Sequence, residues 1–323
     1  MGEIDIVFGG AGFIATHLLR RLVQESGRRL ISVDIRDPVR PVAGVEYLRG
    51  DVRDLSGFTV DWAGGTVGTL YNLAAIHVTP GHPNHAYYET NIAGATQITA
   101  LAHRLGAPRI VFTSSISVYG PSESSKNEDT RPAPESAYGW SKLLAEQIHQ
   151  AWLEQESGRR LVICRPAVVF GAGEGGNFTR LAGLLRQGIF VYPGRKDTIK
   201  ACIYVEDLLD ALAFAQANAD RSVLFNGAYP DRYTLEQIVE TFRQQYFPKA
   251  RTVMVPQGVV VGLATLLRPI SALGLGIHPD RVMKLVRSTD VIPGWLTAHG
   301  LVQAERLPQA LARWDRHSQG MFT

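Results

Sequence analysis

Three observations predict an α/β chain built on a doubly wound parallel sheet. An apolar, branched run from Ile4 to Phe8 leads into a glycine-rich turn and then a helical apolar pattern. Over the first two-thirds of the chain, short apolar runs alternate with helix-length amphipathic segments. Small, polar or charged residues close those runs (Asp34, Ala74-Ala75, Ser114-Ser115), at the strand ends where such sheets bind ligands.

The first turn, Gly9-Gly10-Ala11-Gly12-Phe13-Ile14-Ala15, precedes a helix from Thr16 to Glu25 whose apolar stripe is Leu18, Leu19, Leu22 and Val23. Strand, glycine turn and helix in that order suit a dinucleotide. Gly9 allows the tight turn, and Gly12 lets the backbone approach a pyrophosphate at the helix N-terminus, with Phe13 and Ile14 beside it. The small Ala15 permits close helix–strand packing. The next strand, Leu30 to Val33, ends at Asp34, a carboxylate suited to ribose hydroxyls, which makes NAD the preferred cofactor. Arg36, two residues on, is placed to receive the 2′-phosphate of NADP, and a turn-capping role for Asp34 is the plainer alternative.

Val45 to Leu48 runs into Asp51-Val52-Arg53-Asp54, where Asp51 is expected to meet the adenine amino group. Leu70 to Leu73 closes on Ala74-Ala75, small enough for a cofactor to lie across the strand end. A helix is expected to open at Asn91 and run to about Leu105. Ile110 to Thr113 then delivers Ser114 and Ser115, and Leu161 to Cys164 is a sixth strand ended by Arg165-Pro166. Between these last two strands, a helix to about Glu156 carries Tyr138 and Lys142 at i and i+4, on one face. An ammonium beside a phenol favours the phenolate, which is able to exchange a proton with an alcohol or carbonyl.

The 323 residues suffice for one large or two joined domains, and 45% apolar with 20% charged residues is ordinary for a globular chain. A net charge of +3 without a basic run argues against nucleic acid. Cys164 and Cys202 read as buried free thiols, and with no targeting segment visible the expected location is the cytoplasm. Gly258 to Ile277 is apolar but interrupted by Arg268 and Pro269, so a buried or lid-forming helix pair is preferred to membrane contact, and no transmembrane segment is expected. His77, His82 and His85 share a loop without a carboxylate or cysteine at ligand spacing, so no metal is expected.

Gly9-x-x-Gly12-x-x-Ala15, Asp51-Val52-Arg53-Asp54, Leu73-Ala74-Ala75, Asn91, Ser114 to Gly120, Tyr138-Gly139-Trp140-Ser141-Lys142 and Tyr204 to Leu208 together resemble the extended short-chain dehydrogenase/reductases. Within them the similarity is to the NAD-dependent epimerase/dehydratase group that modifies nucleotide sugars. The resemblance implies a Rossmann sheet domain (residues 1–167 with about 203–228) and a smaller C-terminal substrate domain (about 168–202 with 229–323). It makes Ser115 a hydrogen-bond partner of the reacting sugar oxygen and Tyr138 the acid/base. Lys142 then binds the nicotinamide ribose and lowers the tyrosine pKa. Implied cofactor contacts also include Val52, Leu73, Ala74, Ala75, Asn91, Thr113, Pro166 and His77, the last standing where the family often has lysine.

Asn177 and Lys200 resemble family contacts to the diphosphate, with lysine at an arginine position and therefore without the bidentate fork. Arg281 and Arg287 are further candidates for that phosphate. The run Ser115-Ile116-Ser117 lacks the carboxylates that 4,6-dehydratases carry there, which argues against elimination. The expectation is a nucleotide-sugar 4-epimerase, with a 4-keto sugar reductase as alternative; a 3β-hydroxysteroid-type or lipid-linked substrate and a non-catalytic NAD(P) sensor rank lower. Family dimers pair two helices per subunit, here Asn91–Leu105 and Tyr138–Glu156, so a homodimer is expected.

Overall fold

A computed structural model describes residues 2–256, 258, 286–301 and 304–323, apart from positions 26, 63, 79 and 80. Nearly all of the apolar 258–277 stretch, and Arg281 with it, therefore lies outside the described residues. The chain divides into two units: Met1–Gly120 with Arg131–Pro166 and Val205–Asn226, and Pro121–Thr130 with Ala167–Tyr204 and Gly227–Thr323.

In the first unit, β1 (Glu3–Phe8), α1 (Phe13–Glu25), β2 (Arg29–Asp34), β3 (Val45–Arg49), β4 (Thr66–Asn72), α2 (Asn84–Arg104) and β5 (Arg109–Thr113) follow in sequence. β6 (Ser122–Lys126) belongs to the second unit; α3 (Ala137–Glu154) and β7 (Arg160–Pro166) return to the first. The excursion at β6 arises because it pairs with a late strand of the second unit, Ser122 opposite Thr289. Then come β8 (Val168–Phe170), α4 (Asn177–Arg186), β9 (Ile189–Pro193) and β10 (Cys202–Tyr204) in the second unit, and α5 (Val205–Asn218) and β11 (Ser222–Gly227). The chain ends with α6 (Leu235–Tyr246), β12 (Arg251–Val255), β13 (Thr289–Val291), α7 (Gly294–Ala298) and α8 (Leu307–Ser318).

The central sheet has seven strands in the order β11-β7-β5-β4-β1-β2-β3, and β1 pairs in parallel with both β2 and β4. Strand order reverses between β1 and β4, which opens a crevice at their C-terminal ends. β1 is buried on both faces after its first residue, and this explains an unbroken apolar run where a one-sided strand would alternate. Ile6, Phe8, Ile31, Leu70, Ile110, Phe112 and Ile163 form the centre of the core, with Ile98, Leu101, Ala145 and Trp152 of α2 and α3.

Two expected boundaries are corrected. α2 opens at Asn84 behind Pro83, whose extended backbone (φ −63°, ψ 150°) sets the entry, so Asn91 lies two turns inside the helix. β7 runs through Arg165 to Pro166, because a proline in the last strand position owes the ladder no donor.

In the second unit three two-stranded pairs form, β8 with β10, β9 with β12 and β6 with β13. Its core is aromatic: the Trp314 ring of α8 lies 5.2 Å from Phe322, 6.0 Å from Phe170 and 6.2 Å from Phe242. A Thr234/Gln237 capping box starts α6 and aims Phe242 into that cluster. Trp314→Ala should cost roughly 3–5 kcal/mol of stability by removing the fully buried ring at its centre. A urea midpoint close to wild type would show that the cluster does not hold the unit together.

Candidate active site

The glycine turn is compressed between the ends of β2 and β4. Gly9 has φ +79° and donates to the Val33 carbonyl at 2.8 Å, and a Cβ on it would stand 2.7 Å from the Ala74 backbone. A side chain at Gly10 would meet Ser32. Gly12 donates to the Gly9 carbonyl at 3.0 Å, and α1 starts at the next residue. The first amides of α1 thus sit beside a backbone surface bare of side chains, a cradle that fits a pyrophosphate. Asp34 closes it: its carboxylate accepts from the Ala11 amide at 3.1 Å and the Arg36 amide at 3.0 Å. The capping role therefore holds, and it fixes the carboxylate at the tip of β2. Ser32, Asp34, Arg36, Tyr47 and Leu48 line a cleft at this tip. Asp51, the residue expected at adenine, accepts from Arg53 Nε at 2.9 Å.

Ser115, Tyr138 and Lys142 come together at the end of β5. Ser115 leaves the strand extended (φ −167°, ψ 150°) and caps a short 3-10 turn, Ile116–Tyr119, accepting from the Ser117 amide at 3.1 Å. Tyr138 occupies the first turn of α3, which Ser136 caps by accepting from the Gly139 amide at 3.1 Å. A Cβ at Gly139 would lie 2.5 Å from the Ser117 carbonyl oxygen, so a glycine after the tyrosine lets α3 press against the serine turn. The Ser115 hydroxyl lies close enough to the buried phenol to act on it.

The electrostatics differ from the expectation. Burial pushes the Tyr138 phenol up to about 12, with the nearby Ser115 hydroxyl opposing it. Burial pushes the Lys142 amine down to about 7, opposed by the Glu146 carboxylate. Lys142 Nζ donates to the Thr113 carbonyl at 2.7 Å and stands 4.7 Å over the Phe112 ring. The cost of charging a group in a dry pocket exceeds the help each gives the other, so the isolated site favours phenol.

Beneath the trio lies a polar network that sequence reading missed. Arg165 of β7 grips Glu146 of α3 with two bonds, Nε to Oε1 at 2.9 Å and Nη2 to Oε2 at 2.6 Å. Its Nη1 donates to the Tyr119 hydroxyl at 2.8 Å, and that hydroxyl donates to Asn226 Oδ1 at 3.0 Å. Ser114 also donates to Glu146. The available signal was Tyr138-x-x-x-Lys142-x-x-x-Glu146, which extends one helix face by another turn. Asn91 supplies a second brace: its Nδ2 donates to Ser141 Oγ at 2.9 Å and its Oδ1 accepts from the Ile76 amide at 3.0 Å. It therefore fixes the helix of the Tyr–Lys pair to the loop after β4.

His77 lies on the exposed side of that loop and hydrogen-bonds to the Ala75 backbone. In the second unit, Asn177 is the exposed first residue of α4, and Lys200 donates from Nζ to the Arg287 carbonyl at 2.5 Å. Among the described residues no His, Cys, Asp and Glu cluster is placed to hold a metal ion.

With this geometry, comparison with known proteins gives a consistent result. The NAD dependent epimerase/dehydratase family matches residues 6–226. The chain belongs to that family. It is 26% identical over 318 residues to the N-acetyl-α-D-glucosaminyl-diphospho-ditrans,octacis-undecaprenol 4-epimerase of Escherichia coli O157:H7, covering 97% of this chain and 94% of the relative. It is 32% identical over 196 residues to the UDP-glucose 4-epimerase of Vibrio cholerae, 58% of each chain. Among solved structures, MoeE5 in complex with UDP-glucose and NAD shares the fold, with a TM-score of 0.72, 23% identity and coverage of 98% and 100%. The NDP-hexosamine 5,6-dehydratase TunA superposes with a TM-score of 0.67 at 25% identity, covering 79% of this chain and 84% of that one.

Two outcomes follow from the network. Glu146→Ala leaves the Arg165 guanidinium buried without its partner and should cost roughly 3–5 kcal/mol, read from denaturant unfolding. His149 of α3 is stacked on Phe112, and burial pushes its pKa from 6.5 down to about 4. Between those values the unfolded chain binds a proton that the native one refuses, so stability falls as pH drops from 6.5 to about 4. His149→Phe should flatten that portion of the stability–pH curve, and an unchanged slope would assign it to other groups.

Proposed function

We propose that this chain is an NAD-dependent 4-epimerase of a sugar carried on a diphosphate, with a nucleotide sugar as the first reading. The observation that carries it is the convergence of Ser115 and Tyr138 at the end of β5, with Lys142 one turn further along α3. Gly9, Gly12, Asp34, Ala74, Ala75 and Lys142 would hold NAD, and when bound its nicotinamide supplies a reversible hydride acceptor for C4. As the phenolate, with its own proton passed to Lys142 or to solvent, Tyr138 would take the C4 hydroxyl proton as the alcohol is oxidised and return it when the ketone is reduced from the other side. Ser115 holds the reacting oxygen against Tyr138 and stabilises charge developing there. With its pKa pushed down to about 7, Lys142 gains and loses its proton near neutral pH where an ordinary lysine stays charged, so it is able to switch charge as Tyr138 exchanges its proton.

Asp34 at the tip of β2 supports NAD over NADP, since a fixed carboxylate repels a 2′-phosphate. Elimination has less support. The serine turn offers no carboxylate, and Glu146 is occupied by Arg165 and Ser114. We assign the first unit to the dinucleotide and the second, with Asn177 and Lys200, to the substrate, in a homodimer. A second reading, a polyprenyl-diphosphate carrier in place of the nucleotide, draws on the Escherichia coli relative, whose similarity runs the length of this chain.

The test is incubation of the purified protein with UDP-glucose, UDP-N-acetylglucosamine and an undecaprenyl-diphosphate-linked N-acetylglucosamine, followed by product analysis. The C4 epimer should form with no net change in NADH. Tyr138→Phe should lower kcat by about 10²–10⁴-fold while NAD binding persists. A product lighter by one water would replace this reading with a dehydratase, and accumulating oxidised sugar would replace it with a dehydrogenase.

A further inference from the structure

The β9–β12 pair of the second unit has two unlike faces. In its register Arg251 lies opposite Ile189 and Val253 opposite Val191, and the alternate residues Phe190 and Tyr192 turn into the core. The outward face therefore presents Ile189, Val191 and Val253 side by side, 48%, 42% and 45% exposed. Adjacent half-exposed aliphatic side chains on neighbouring strands are an interaction surface rather than scattered apolar residues.

The charge around this face is one-sided. Between Glu174 and Asp197, and again between Glu240 and Asp280, the sequence contains no aspartate or glutamate. The stretches that pair as β9 and β12 are these two carboxylate-free segments. Some of their cations are matched from outside or at the edge, Arg195 by Asp197, Lys196 by Glu236 and Arg243 by Glu240. Arg180, Arg186, Lys249 and Arg251 are exposed and make no ion pair among the described residues. A surface built only for solubility would mix both signs. Aliphatic side chains beside the exposed cations Lys249 and Arg251, on two strands that carry no carboxylate of their own, match the boundary between acyl chains and anionic headgroups. A second copy of the chain is a poorer occupant, since apposing the same face brings Lys249 and Arg251 of both copies together.

We propose that the outward face of the β9–β12 pair docks on an anionic lipid bilayer. Ile189, Val191 and Val253 enter the headgroup–acyl boundary, and Arg186, Lys249 and Arg251 meet lipid phosphates. Sequence composition continues the theme, because the chain passes from β12 into the apolar 258–277 stretch. The inference does not depend on which carrier the active site takes; with a polyprenyl carrier it would bring the enzyme to the surface that holds its substrate.

The experiment is co-sedimentation of the full chain with phosphatidylglycerol–phosphatidylcholine vesicles and with phosphatidylcholine vesicles, at low and high salt. Binding should require the anionic lipid and weaken with salt as headgroup attraction is screened. Val191→Ser with Val253→Ser, and separately Lys249→Gln with Arg251→Gln, should each lower vesicle affinity on the order of tenfold. Both double variants should keep NAD binding and the wild-type unfolding midpoint. Absence of binding to anionic vesicles overturns the proposal, and so does binding that neither double variant reduces. A concentration-dependent dimer in the wild type that the serine variant abolishes, without vesicle binding, would assign the face to a second copy. None of these readouts uses turnover, so a negative result here leaves the catalytic reading intact, and a failed epimerase assay leaves the docking face intact.

Discussion

The Glu146–Arg165 ion pair is the contact on which the active-site geometry depends. Both side chains are almost wholly buried, so each would be prohibitively costly without the other. Its geometry meets the condition under which such a pair is tolerable: two parallel bonds between guanidinium and carboxylate, with a third guanidinium donor bonded to Tyr119 and the carboxylate also accepting from Ser114. The pair joins α3, which carries Tyr138 and Lys142, to β7, and Ser114 brings in β5 at the residue before Ser115. A shift of α3 by a fraction of an ångström would strain several charge-assisted bonds at once. The separation of tyrosine from serine is thereby fixed from beneath by groups that do no chemistry.

That rigidity has an electrostatic counterpart. The dry environment that makes the ion pair strong also raises Tyr138 and lowers Lys142, bringing two groups that are normally far apart toward one another from opposite sides. Each resists charge alone. A proton passing from phenol to amine charges both at once, so the attraction between the two new charges offsets part of the burial cost that either ionisation meets alone. Glu146 adds bias in the same place, since its carboxylate opposes the loss of charge on the nearby lysine.

Much of this was legible in the sequence, and the reasons are local. Strand, glycine turn and helix are coded by residues adjacent in the chain, and the Gly9 conformation is one that few other side chains tolerate. Tyr138 and Lys142 lie one turn apart, so helical periodicity alone places them on one face. What sequence reading missed depends on partners far apart: Glu146 with Arg165, Tyr119 with Asn226, Asn91 with Ser141. The electrostatic expectation failed for a related reason. Spacing gives proximity, but the magnitude of a pKa shift depends on solvent exclusion by elements that spacing does not reveal.

The same distinction between local and distant partners bears on the choice of chemistry. Elimination needs a carboxylate or an equivalent base free to take a proton from carbon, and a carboxylate buried near the reaction centre would be an obvious source. Glu146 is such a carboxylate by position, yet its oxygens accept from Arg165 and Ser114, and withdrawing it would strand the guanidinium. Its charge is thus committed to architecture. With the serine turn lacking a carboxylate of its own, the proposed reading gives proton exchange to the Tyr138 phenol, which shares a helix face with Lys142. A site of that kind is suited to moving one proton to and from an oxygen as oxidation at carbon is reversed, and this is the demand that epimerisation makes.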